Sequence, residues 1–190
     1  MRQPVALPQA YRLINHGPTV LVSAAHGGRR DVMAAAWNTV FEFEPPRIGV
    51  VIDKSTFTRG LVEASGRFAL SVPCRDVADL AFTVGSTSGH DIADKFVHFG
   101  IAHAEAQTMD VPLVEGCIAW LECRVIPEPH VQQAYDLFVA EVVAAHADDR
   151  VFAHGRWRDD IPPGLATLHH VGGGRFFCAG NPVQAQRLPG

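Results

Sequence analysis

Apolar and polar positions alternate along much of this chain with the two-residue period of strands. PTVLVSAAHGGRRD, which starts at Pro18, predicts a strand closed by a Gly-Gly turn, and VMAAAWNTVFEF runs back as a second extended segment, making a hairpin. Pro45 and Pro46 stop that run, and RIGVVID, too short and too β-branched for a helix, predicts a buried third strand. Phe57, Leu61 and Ala64 then recur at helical spacing ahead of Gly66, the pattern of a short helix with a glycine stop. RFALSVP reads as a strand, while RDVADLAFTVGS and DIADKFVHFG read as helices, each closed near a glycine.

The second half returns to strands. CIAWLECRVIPE places Leu121, Cys123 and Val125 on one face and Glu122 and Arg124 on the other. YDLFVAEVVAAHADD suits a strand or a helix by content; the turn at Asp148 and Asp149 favours a strand, with RVFAHGRW as its partner edge. ATLHHVGGGRFFCAGNP closes the chain as a hairpin around a glycine run. Six or so strands with helices inserted in the middle, and no regular βαβ alternation, predict a mainly β antiparallel barrel with helical insertions.

At 190 residues the chain is expected to form one domain, 1–190, with a core over about 12–182 and short tails. An apolar fraction of 47% against 19% charged residues is that of a folded globular protein. The net charge of −4 and the lack of any long basic block argue against a nucleic-acid partner. No apolar stretch is long enough for a membrane span and MRQPVALPQAYRL has no long apolar leader region, so the expected location is cytoplasmic. Cys74, Cys117, Cys123 and Cys178 form no C-x-x-C pair and are expected to be buried free thiols.

The chemistry-bearing residues gather in DKSTFTRGL, where the apolar run ending at Ile52 meets three hydroxyls bracketed by Lys54 and Arg59. Ser55, Thr56 and Thr58 at a helix start, with those two cations alongside, suit a phosphate; they equally suit a helix cap with solvated basic neighbours. No glycine-rich nucleoside triphosphate loop is present. In AAAWNT, small residues allow close approach of a flat heterocycle, with Trp37 as a wall and Asn38 as donor and acceptor; a packed strand with one buried aromatic is the plain alternative. The histidines lack metal-ligand spacing, and no nucleophile elbow or catalytic cysteine context occurs, so no catalytic residue and no metal site is assigned.

Taken in order, AAAWNTVFEFEPPRIGVVIDKSTFTRGLVEASGRFALSVP, GHDIADKF, LFVAEVVAAH and LHHVGGGRFF resemble the flavin reductase-like family of FMN-binding split β-barrels, over roughly residues 12–182. The resemblance implies a six-stranded antiparallel split barrel, a homodimer, and FMN bound near the subunit interface. It implies that Ala36, Trp37, Asn38 and Thr39 face the isoalloxazine ring and that Lys54, Ser55, Thr56, Thr58 and Arg59 surround the phosphate and ribityl chain. Phe82, Ser86 and Lys95 match the helical insertion near the phosphate or the nicotinamide entrance, and of the late-strand pair His169 and His170, His169 is assigned to the flavin edge. The insertion lacks the arginine often seen near its start. The implied activity is hydride transfer from NADH or NADPH to FMN, with electrons passing to free flavin, ferric iron, oxygen or a protein partner. The competing expectations are a non-enzymatic FMN electron carrier or sensor, a pyridoxamine-phosphate oxidase relative, and a structural dimer without cofactor.

Overall fold

In β1 (Val20–His26) both faces are apolar: Val20, Val22 and Ala24 enter one core with Val50, Phe68 and Phe138, and Leu21 enters a second with Val32, Val84 and Phe96. A strand buried on both sides must lie inside a layered structure. The computed structural model describes residues 17–188. The N-terminal segment read for a leader, and the start of the expected core at residue 12, lie outside the described residues.

The chain is mainly β with a few helices, as expected. The main sheet contains β1, β2 (Arg29–Ala35), β3 (Asn38–Phe43), β4 (Pro46–Val51), β5 (Arg67–Val72), β8 (Ala119–Ile126) and β9 (Leu137–Ala147), in the order β2-β1-β5-β8-β9-β4-β3. All its pairings are antiparallel. Two-stranded hairpins β6 (His103–Glu105) with β7 (Pro112–Val114), β10 (Phe152–Ala153) with β11 (Arg156–Trp157), and β12 (Leu168–Gly172) with β13 (Arg175–Cys178) surround it.

Seven strands replace the expected six, because the run from Val32 to Phe43, read as one strand, breaks at residues 36 and 37. Its two halves occupy opposite edges of the sheet. Across a flat sheet those edges would stand about 29 Å apart, yet a two-residue link spans at most about 11 Å. The sheet therefore curls until its edges approach at Ala36 and Trp37, without pairing there. The expected pairing of RVFAHGRW with β9 is also corrected: β8 and β4 take both edges of β9, and β10 and β11 pair with each other.

Helix α1 (Phe57–Ser65) sends Leu61 and Val62 into the first core and ends at Gly66, whose φ of 67° is the left-handed stop that the sequence predicted. Helix α2 (Ala78–Ser86) covers the outer face of β2, and Ala81 and Val84 join the second core. The segment DIADKFVHFG forms only the short α3 (Lys95–His98), and α4 (Pro129–Tyr135) was not foreseen. Cys178 is exposed rather than buried; the other three cysteines are buried free thiols, and burial pushes the Cys123 thiol up to about 12. Among the described residues no helix is long and apolar enough to cross a membrane.

Candidate functional site

The junction between β4 and α1 is built by Asp53. Its carboxylate accepts from the Ser55 N–H at 2.8 Å and the Ser55 hydroxyl at 2.6 Å, which hold it below the usual carboxylate range. Thr56 occupies the N-cap position, yet its hydroxyl bonds back to the Asp53 carbonyl at 2.7 Å and leaves the first turn of α1 without a side-chain cap. That turn borders a cavity of about 240 Å³ lined by Ser55, Thr56, Phe57 and Thr58 from one side and Ser86, Thr87, Ser88 and Gly89 from the other. Six hydroxyl side chains and an uncapped helix start around one space make a polar, anion-ready end. At its rim the Arg29 guanidinium lies 4.2 Å from the centroid of the Phe57 ring, whose edge meets His90. A cation thus stands beside this end on the β1–β2 hairpin, in addition to Lys95 of the helical insertion.

Beneath the polar end lies a buried ion pair. Lys95 Nζ stands 3.3 Å from Asp31 Oδ1 and donates to the Val32 carbonyl at 2.8 Å, both side chains being almost fully buried. Burial pushes the Lys95 ammonium below its ordinary range, which Asp31 only partly offsets. Thr58 Oγ1 donates to Asp31 Oδ2 at 2.6 Å. Asp31 Oδ1 has no hydrogen bond of its own.

A second cavity of about 140 Å³ adjoins the first, sharing Gly85 and Ser86, and is lined by Thr19, Ala34, Ala35, Ala36, Ala81, Phe82, His170 and Phe176. Its walls are methyl groups and rings. At the shared Gly85 α2 rests directly on β2: a Cβ there would lie 2.9 Å from Ala34 Cβ. The two cavities form one groove, polar at the α1 end and apolar at the β12–β13 end.

Of the residues singled out in the sequence, Ser55, Thr56, Thr58, Ser86 and Lys95 line the polar end, and Ala36, Phe82 and Ser86 line the apolar end. Thr58 and Arg59 lie in the first turn of α1 but are buried, not at its surface. Arg59 turns away from the groove: it donates to Glu63, to Asp136, and to the carbonyls of Ile52 and Gln132, clamping α1 to α4. Asn38 donates to the Pro18 carbonyl at 2.8 Å, Thr39 sits exposed on the edge strand, and Lys54 is exposed in its turn. Trp37 is 52% exposed beside the corner and does not line either cavity.

His170, not His169, borders the apolar end, with its ring 5.4 Å from that of Phe176. Leu168 is fixed in the second core, so the alternation of β12 puts 170 on that side and sends His169 toward Thr167. The sequence reading also missed Thr19, Asp31 and Phe176. Leu168 was the signal available for the histidine choice; Thr19 and Asp31 carry none without knowledge of their burial. Among the described residues no three His, Cys, Asp or Glu side chains gather as a metal site.

Residues 11–164 match the flavin reductase like domain. The chain is 46% identical over 185 residues to the uncharacterized protein YddH of Escherichia coli (strain K12), covering 96% of this chain and 97% of that one. It superposes with a TM-score of 0.86 on an FMN-binding domain of a flavin reductases-like enzyme from Shewanella baltica OS155, 48% identical and covering 96% of each chain. An FMN-binding protein from Thermus thermophilus with bound 1-cyclohex-2-enone superposes with a TM-score of 0.73 at 26% identity, covering 100% of this chain and 98% of that one. With the groove set where a curled antiparallel sheet meets its helical insertion, and the family's pattern running through most of its length, this chain belongs to the flavin reductase-like family, whose fold is an FMN-binding one.

Proposed function

We propose that the protein is an FMN-dependent oxidoreductase that takes hydride from NADH or NADPH and hands electrons to a small acceptor such as free flavin or ferric iron. The observation that carries this reading is an uncapped helix start among six hydroxyls at one end of the groove, set beside an apolar end that holds an orphaned hydroxyl. Among the described residues only Thr19 Oγ1 and Asp31 Oδ1 are buried side-chain polar atoms without a hydrogen bond; the Lys95 ammonium faces Asp31 Oδ1 at 3.3 Å, which leaves Thr19 Oγ1, of a residue at the apolar end of the groove, as the orphan. Buried polar atoms are rarely left unpaired without a reason, and the polar edge of a flat heterocycle supplies one for Thr19, while the N–H groups at the start of α1 and the hydroxyls around them suit a phosphate. The polarity of the groove, apolar at one end and anion-ready at the other, suits FMN.

FMN, when bound, supplies the hydride-accepting atom and the electron storage, which explains why no acid–base dyad or nucleophile is needed. The chain's own residues bind and orient. N–H groups at the start of α1, the hydroxyls of Ser55, Thr56, Ser86 and Ser88, and the Arg29 cation would hold the phosphate, with Lys95 fixing Asp31 and the carbonyls of Val32 and Val84 beneath it. Ala34, Ala35 and Ala36 let a planar ring lie close to the backbone of β2, while Phe82 and Phe176 exclude water from its sides and His170 offers a polar contact at its edge. We place a second copy of the chain against β3, because Trp37, Val40, Phe41 and Phe43 leave an apolar edge exposed beside the same corner.

Anaerobic addition of NADH or NADPH to the FMN-loaded protein tests the enzymatic reading. Loss of the flavin absorbance band within seconds, and its return with free flavin or ferric iron, is the expected result. A band that persists would contradict hydride transfer and leave an electron carrier or sensor.

A further inference from the structure

Thr19 lies just before β1, is 3% exposed, and its Oγ1 has no hydrogen-bond partner among the described residues. Its backbone cannot relax to give it one. The Thr19 N–H donates to the Leu168 carbonyl at 2.7 Å, and the preceding carbonyl, that of Pro18, accepts from Asn38 Nδ2 at 2.8 Å. With the backbone held at both sides, χ1 is the one torsion left to the Thr19 side chain, and threonine adopts more than one χ1 rotamer readily. Thr19 lines the apolar cavity beside Ala34, Ala35, Ala36, His170 and Phe176, and its Oγ1, sealed from water just behind that wall, comes to the cavity by a turn about χ1.

From this placement we infer that Thr19 is a binding residue that hydrogen-bonds the polar edge of the flavin ring and thereby sets which way round the ring lies. The inference rests on the FMN reading above. The two edges of an isoalloxazine differ in chemistry: the pyrimidine edge carries carbonyl oxygens and an N–H, whereas the dimethylbenzene edge carries only methyl groups. A buried hydroxyl, able to donate and to accept, is satisfied by the first and left unpaired by the second. With the phosphate held at the far end of the groove, the hydroxyl selects the orientation that turns the pyrimidine edge toward β1.

The variants Thr19→Val, which keeps the shape and removes the hydroxyl, and Thr19→Ser, which keeps the hydroxyl, are titrated with FMN and with riboflavin, and the melting temperature of each apo-protein is measured. Thr19→Val should bind both flavins about tenfold more weakly than the parent, by the same factor, because the phosphate contacts are untouched. Its apo-protein should melt no lower than the parent's, since the change removes an unpaired buried group, and Thr19→Ser should bind like the parent. A Thr19→Val protein that holds flavin as tightly as the parent overturns the inference, as does one whose apo-protein melts markedly lower or fails to fold, which would mark a structural hydroxyl. Failure of the parent to bind either flavin is a different result and overturns the FMN reading itself, and the inference with it.

Discussion

Thr58 Oγ1 donates to Asp31 Oδ2 across 2.6 Å in the interior, tying the first turn of α1 to β2. The hydroxyl also serves the ion pair, since the same carboxylate faces Lys95. Replacing Thr58 by Val takes one partner from a buried carboxylate and should cost about 1–3 kcal/mol, whereas Thr58→Ser should recover most of that. Urea unfolding of the two variants checks both statements.

Arg59 belongs to the same turn and to a different function. Its guanidinium is paired with Glu63 and Asp136 and bonds two backbone carbonyls, almost wholly shielded from water. Arg59→Ala leaves Asp136 without its cation and should cost about 3–5 kcal/mol, the upper value being discounted because the Glu63 side chain is half exposed and screened. Flavin affinity measured on the folded fraction should change less than threefold. A large affinity loss with unchanged denaturant midpoint would contradict this division of roles.

Glu122 is fully buried on β8 and accepts from the N–H groups of Gln107 and Thr108, each at 2.8 Å, and from the Thr108 hydroxyl. Burial by itself would raise its pKa; these hydrogen bonds outweigh burial and hold it below 4.5. A carboxyl with a depressed folded pKa stabilises fully above its unfolded value and loses that contribution as pH falls through the folded one. Stability should therefore decline below about pH 4.5, and Glu122→Gln should be less stable at neutral pH but less steeply acid-dependent. Denaturant midpoints from pH 3 to 7 provide the comparison.

At the β3 edge, Phe43 is 89% exposed and Val40 68%. Apolar side chains so placed are expected to be covered by a second copy. Light scattering at micromolar concentration should give the mass of a dimer for the parent and of a monomer for Phe43→Asp, with the melting temperature of the variant reporting that the chain still folds.

Local signals were legible in the sequence and long-range ones were not. Gly66 announced the end of α1, and Leu121, Cys123 and Val125 do share the first core, because a glycine stop and a strand alternation are written within a few residues. The break at Ala36 and Trp37 escaped because neither residue carries a turn signal; it is imposed by the long-range pairing of β2 with β1 and of β3 with β4 at opposite edges of the sheet. Arg59 was read as a phosphate ligand because its true partner, Asp136, lies 77 residues away. Glu122 was placed on the face opposite Leu121, Cys123 and Val125, and the loop at residues 107–108 that covers it there cannot be foreseen from strand alternation.

On the FMN reading, one groove holds a flavin ring at its apolar end and a phosphate at its polar end. Titrating the apo-protein with FMN and with riboflavin, following the quenching of flavin fluorescence, tests it most directly. Charge-assisted hydrogen bonds to the phosphate should make FMN bind at least about tenfold more tightly than riboflavin at low salt, with the preference narrowing as salt is raised. Equal affinities, or no binding of either flavin, would contradict the claim.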